Sequence, residues 1–273
     1  MRDSMLISSM LGNSAVWYNL SQSDISHLES VDLYLLKKIL KCHSKVSKEL
    51  VHLETGTFSV KHILKRRRLS YLHHLLTRNK NELISKVYYA QKRQPVKGDW
   101  VTTALSDMKE IDSDLTEDKI MEMNKKTFKD FLKKKIFELA FSELLKVKQS
   151  HSKGKEIVYD KLQMQSYLKS NDIKLEDKLL LFSLRSRTTE SKDNFRTMYG
   201  DASCNLCSSN IPQSDRHLLD CVKILENCPS LYNNINTEHK DIFGDVERQK
   251  EAAALYREVF ATKQLLEENF GTS

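Results

Sequence analysis

Lys125-Lys-Thr-Phe-Lys-Asp-Phe-Leu-Lys-Lys-Lys-Ile-Phe-Glu-Leu-Ala-Phe-Ser-Glu-Leu-Leu-Lys-Val-Lys148 is the stretch that decides the fold class. Phe128, Phe131, Leu132, Ile136, Leu139, Ala140 and Leu144 recur at steps of three and four, while Lys125, Lys126, Lys133, Lys134 and Lys148 fill the remaining positions. That is the period of an amphipathic helix, and the spacing predicts one over about 125–149, its aromatic rings turned to a core. No comparable period-2 run occurs, and the 273 residues hold only 7 Gly and 3 Pro, roughly a third of the usual share. The expectation is therefore a mostly α chain.

Working outward, Ser23 reads as the cap of a helix over about 24–41, Gly56 as a break, and Thr57 as the cap of a helix reaching about 77. A third helix is expected from Asn79 to about Gln91, then a loop over Gln94–Gly98, with Asp99 capping a helix to about Glu110 and Thr116 marking another start. Trp100 and Trp17 read as core anchors. Lys148–Lys155 reads as a polar loop, followed by short helices at about 159–169 and 175–184 and a final amphipathic helix over about 246–268. Four consecutive segments result: a basic helical region over 1–112, a helical connector over 113–183, a small knuckle region over 184–230 and a tail helix over 231–273. No apolar run approaches the ~20 residues that span a bilayer, and the first residues lack the apolar core of a secretory signal.

The knuckle is expected on spacing. Cys204, Cys207, His217 and Cys221 stand at C-x2-C-x9-H-x3-C. Two thiols three apart can hold one side of a tetrahedral Zn²⁺, and a His and a Cys four apart share one face of a helical turn and can close the other. With four protein donors no position is left for substrate water, so the expected zinc is structural. Cys42 reads as a small half-buried thiol and Cys228 as a less suitable stand-in ligand. Thiols gathered for metal rather than for disulfides fit a reducing, intracellular compartment, nuclear more than cytoplasmic.

Charge is segregated. Of the net +7, residues 61–97 supply +10, from eleven Lys/Arg against Glu82 alone, interleaved with Tyr71, His73, His74, Tyr88 and Tyr89. A one-signed segment with aromatics suggests a polyanion-facing surface. Lys65-Arg-Arg-Arg68 is expected mid-helix with its side chains fanned to solvent, and Lys65, Arg66, Arg67, Arg68, Arg78, Lys92, Arg93 and Lys97 are the expected contacts to RNA or DNA backbone, without sequence readout. Phosphate-loop, nucleophile-elbow, zincin and dinucleotide motifs are absent, as is any Asp-Asp pair, so no catalytic residue is assigned. Neither a membrane nor a small-molecule substrate is expected. The alternative is a protein-interaction module in which zinc only staples helices.

The order of several short stretches adds a resemblance. They are Ser14-Ala-Val-Trp17-Tyr-Asn-Leu-Ser-Gln-Ser-Asp24 with Asp32-Leu-Tyr-Leu-Leu-Lys-Lys-Ile-Leu40, then Leu53-Glu54-Thr-Gly56 with Arg67-Arg68-Leu-Ser-Tyr-Leu72, then Lys97-Gly-Asp-Trp100, and last Asn194-Phe195 ahead of the Cys204 to Cys221 knuckle. Over about 220 residues the chain resembles the C-terminal part of non-LTR (LINE-type) retrotransposon polyproteins, downstream of the reverse transcriptase core. The resemblance implies that the first hundred or so residues form a thumb-like region gripping primer–template, and that the CCHC element helps hold RNA or target DNA. The palm and endonuclease of that family are absent from this sequence, so Met1 is expected to be an internal methionine of a longer reading frame or the start of a decayed copy, and no enzymatic activity is expected of this chain.

Overall fold

The computed structural model describes residues 2–150, 157–207, 209–229, 231 and 237–270. Its principal helices are α1 (Gln22–Ile39), α2 (Lys48–Thr55), α3 (Val60–Leu76), α4 (Leu83–Arg93), α5 (Trp100–Ile111), α6 (Glu117–Glu122), α7 (Lys125–Ser150), α8 (Ser166–Lys169), α9 (Leu175–Arg185), α10 (Asp215–Asp220), α11 (Val222–Asn227) and α12 (Val246–Phe270). Among the described residues there are no strands, only isolated bridges at Thr55–Met164 and Ser203–Pro212. The fold is mostly α, and none of these helices is long and apolar enough to cross a membrane.

Local chemistry accounts for most helix ends. Ser21, rather than Ser23, opens α1: its Oγ accepts from Asp24 N at 3.1 Å and its own N donates to Asp24 Oδ2 at 2.8 Å, a reciprocal cap. Asp99 caps α5 as expected, accepting from Thr102 N at 2.7 Å, and Gly98 before it takes φ +83°, which favours a residue without Cβ. Asn124 Oδ1 caps α7 through Lys126 N and Thr127 N. The helix expected from Asn79 starts only at Leu83. Residues 159–165 form no helix, leaving the single turn of α8. Helix α7 runs through 148–150, where a loop was expected, and the remainder of that loop, 151–156, lies outside the described residues. Trp100 is buried and its Nε1 donates to Ala15 O at 2.8 Å, whereas Trp17 is only half-buried and does not serve as a core anchor.

The chain divides into two compact units that interleave in sequence, in place of the four consecutive segments expected. The first comprises Met1–Leu36 and Gly56–Val147. Its centre is α3, whose Ile63, Leu64, Leu69, Leu72 and Leu75 are buried, and α7, which buries Phe128, Leu132, Ile136, Ala140 and Leu144. Each large side chain so removed from water contributes about 1.5–3 kcal/mol. His73 of α3 stacks on Phe128 of α7, ring centroids 4.8 Å apart, and its Nε2 lies 2.9 Å from Met123 O.

The second unit comprises Lys37–Thr55 and Lys148–Ser273. Helix α2, not anticipated from the sequence, is tied in here by its backbone, where Gln165 N donates to Glu54 O at 3.0 Å, and by the Glu54 side chain. Glu54 is fully buried and takes the Arg185 guanidinium through contacts of 2.9 to 3.1 Å. Tyr167 Oη donates to Glu54 at 2.7 Å and Tyr159 Oη donates to it as well, while Arg185 Nη1 reaches Ile242 O at 3.0 Å. The Arg185 guanidinium lies over the rings of Tyr167 and Phe243. Burial and the Glu54 charge push both tyrosine hydroxyls well above their usual range. Two charges removed from water are tolerable only with such complete pairing.

Candidate metal centre and cationic face

Cys204 and Cys207 flank a tight turn whose entry and exit are tied: Cys204 N donates to Ile211 O at 2.9 Å and Gln213 N to Ala202 O at 2.7 Å. Across from them Ser214 caps α10, its Oγ accepting from His217 N at 3.1 Å, so the imidazole leaves the first turn of that helix. Cys221 sits where α10 ends and α11 begins. The helix start is braced from behind by a buried network. Asn194 Nδ2 donates to Thr189 Oγ1, Ser191 Oγ and Asp215 Oδ2, and Thr189 Oγ1 donates to Asp215. Burial raises the Asp215 carboxyl above its ordinary range despite these donors.

The result is one cluster. The donor atoms of Cys204, Cys207, His217 and Cys221 all lie within 4.8 Å of one another. Cys204 Sγ and Cys221 Sγ are 3.9 Å apart, and Cys207 Sγ is 3.5 Å from His217 Nε2. A tetrahedral ion with sulfur at about 2.3 Å requires donors about 3.8 Å apart, so a set with no separation above 4.8 Å fits a bound metal ion. Cys204, His217 and Cys221 are buried, and Cys207 is half-buried. Burial opposes the Cys207 thiolate, but hydrogen bonds from Ser209 and His217 outweigh it and bring the thiol down to about 6. Burial and the adjacent Cys204 push Cys221 up to about 11. Ser209, with Oγ 3.0 Å from Cys207 Sγ, is a participant that spacing did not point to. Cys228 stands outside the cluster of donors. It is buried with Leu206, Leu218, Ile224 and Val259 in the apolar layer that seats the cluster on α12. Cys42 is half-buried, as expected, and burial raises its thiol.

The basic run is arranged differently from the expectation. Lys65 and Arg68 do not fan to solvent: both are buried and pair with acids of α5, Lys65 with Glu110 and Arg68 with Asp107. Arg67 Nη1 donates to Leu11 O and to Ser14 Oγ, and Arg66 lies half-buried over the Phe58 ring. Helix α3 carries charge inward because α5 supplies carboxylates at the matching height, which a local pattern cannot reveal. Arg78, Lys92, Arg93 and Lys97 are exposed as expected. Two of them have surface partners: Arg78 with Glu82, and Lys92 with Glu117. Lys80, Lys86, Tyr89, Lys92 and Arg93 together line a hollow of about 510 Å³, with the Lys80 ammonium 5.8 Å from the Tyr89 ring centroid. Lys80 and Lys86 carry no sequence signal beyond the charge of residues 61–97, and it is the turn into α4 that brings them to the same hollow. No family model, curated protein or solved structure matches this chain.

Proposed function

We propose that the chain is a zinc-stabilised nucleic-acid-binding protein without catalytic machinery of its own, corresponding to the C-terminal region of a non-LTR retrotransposon polyprotein. Three thiolates and an imidazole form a closed, soft donor set suited to Zn²⁺, and the buried seat of that set on α12 gives the ion a structural role. RNA or DNA phosphates are the complementary polyanion. The observation that carries the reading is the group of exposed cations Arg78, Lys80, Lys86, Lys92, Arg93 and Lys97, which remain in solvent on one contiguous stretch after Lys65 and Arg68 have been neutralised internally. An exposed pair such as Arg78 with Glu82 is worth about 1 kcal/mol or less and yields to a phosphate.

The test is fluorescence anisotropy with labelled 20-nucleotide RNA and DNA at 50 and 200 mM salt. Affinity is expected to fall by 10-fold or more over that range, as counterion release requires when several phosphates are neutralised. It should fall further in the triple variant Lys86→Glu, Lys92→Glu, Arg93→Glu. Salt-independent binding, or an unaffected triple variant, would reject the proposal.

A further inference from the structure

Helix α4 leaves more than charge in solvent. Leu83 is 78 % exposed, Val87 49 % and Ile84 38 %, and Val96 in the following loop is 66 % exposed. The period of an α-helix places Leu83, Val87 and Ala90 in one row and Lys86, Tyr89 and Arg93 in the row beside it, since residues three and four apart are neighbours. The buried face of the same helix is carried by Ser85 and Tyr88. Lys86 and Arg93 therefore run between an exposed aliphatic strip on one side and, on the other, the half-buried Tyr89 ring in the cation-lined hollow.

The two rows make different demands on a partner. Lys80, Lys86, Lys92 and Arg93 call for a run of phosphates. The aliphatic row calls for apolar surface, which the outside of a duplex withholds because its bases are stacked and covered by backbone. An unpaired strand offers both, phosphates on one edge and free base faces on the other, and base faces stack readily on tyrosine and on aliphatic side chains. A lipid headgroup layer would match the charge but is flat, whereas the phosphate-binding cations here line a concavity.

We infer that this face of α4 is a single-strand site, holding phosphates in the hollow at Lys80, Lys86, Lys92 and Arg93 while unstacked bases lie on Tyr89, Leu83 and Val87. The inference rests on the nucleic-acid reading above and narrows it from any polyanion to an unpaired one.

The experiment compares the full chain with the double variant Leu83→Ser, Val87→Ser and with Tyr89→Leu. Both are measured by anisotropy against a single-stranded 20-mer, the blunt duplex of the same sequence, and vesicles of neutral lipid with 30 % anionic lipid. The expected result is single-strand affinity at least 10-fold above duplex affinity. It should fall about 10-fold in each variant while duplex affinity and circular dichroism stay unchanged. Equal affinity for the two nucleic acids, with both variants silent, overturns the inference but leaves nucleic-acid binding in place. Absence of binding to either overturns both, and tighter binding to vesicles than to the single strand overturns the inference in favour of a lipid surface. Because Leu83 and Val87 are both exposed, replacing them should change stability little.

Discussion

Cys207 and Cys221 face opposite problems before any ion arrives. Hydrogen bonds bring the first down to about 6, and burial pushes the second up to about 11, so at neutral pH one is largely ionised and the other holds its proton. Metal binding has to expel that proton from Cys221. Acid therefore opposes binding: between pH 8 and pH 6.5, zinc affinity should drop roughly tenfold per unit for each proton displaced, readable by competition with a chromophoric chelator. A flat profile would contradict thiolate ligation by Cys221. Replacing Cys207 by Ser should abolish stoichiometric zinc by elemental analysis and disorder the described residues between about 195 and 225, while amide protection near Phe131 of α7 persists. The cluster was legible because its spacing is local: C-x2-C and H-x3-C each fix their geometry within one turn. Glu54 and Arg185 were not, because 131 residues separate the two members of that pair. Arg185→Ala should cost about 3–5 kcal/mol in urea denaturation, since it leaves Glu54 charged and alone in the interior.

At the scale of elements, periodic apolar spacing located α3, α5, α7 and α12 well, and it missed α2 for an identifiable reason. With only 8 residues, Lys48–Thr55, it is shorter than the ~11 residues over which a helical period can be read, and its acids and His52 are buried with its apolar residues. Helix α3 shows the complementary error. Its existence followed from its leucines, but its basic residues were assigned to water when α5 had already placed Asp107 and Glu110 to receive them. The distinction between structural and displayed cations is measurable. Arg68→Ala should destabilise the protein by about 1–3 kcal/mol, because Asp107 loses its hydrogen-bonded partner and keeps only the longer contact to Lys65 at 3.7 Å. Lys86→Ala should stay within about 0.5 kcal/mol, as exposed substitutions do, and lower nucleic-acid affinity instead. Thermal melts beside anisotropy on the same two variants read both effects.

On the scale of the molecule, two compact units with the Cys/His cluster in one of them predict divided behaviour under chelation. With zinc bound as proposed, a strong chelator should lower the melting transition of the second unit by 10 °C or more, because the cluster and its apolar seat on α12 belong to it. The transition of the first unit should stay in place, and a scan in which both move together would count against the division. The interleaving of the units also bears on synthesis. Glu54 leaves the ribosome 131 residues ahead of Arg185. At roughly 5–20 residues per second that is a delay of about 7–26 s. Throughout it the strip Lys37–Thr55 is a tethered half of something not yet made, available to chaperones or to a neighbouring nascent chain. A clone beginning at Lys148 would inherit the mirror-image defect, a guanidinium with nowhere to put its charge, and supplying the missing 37–55 segment as a separate peptide should rescue its folding.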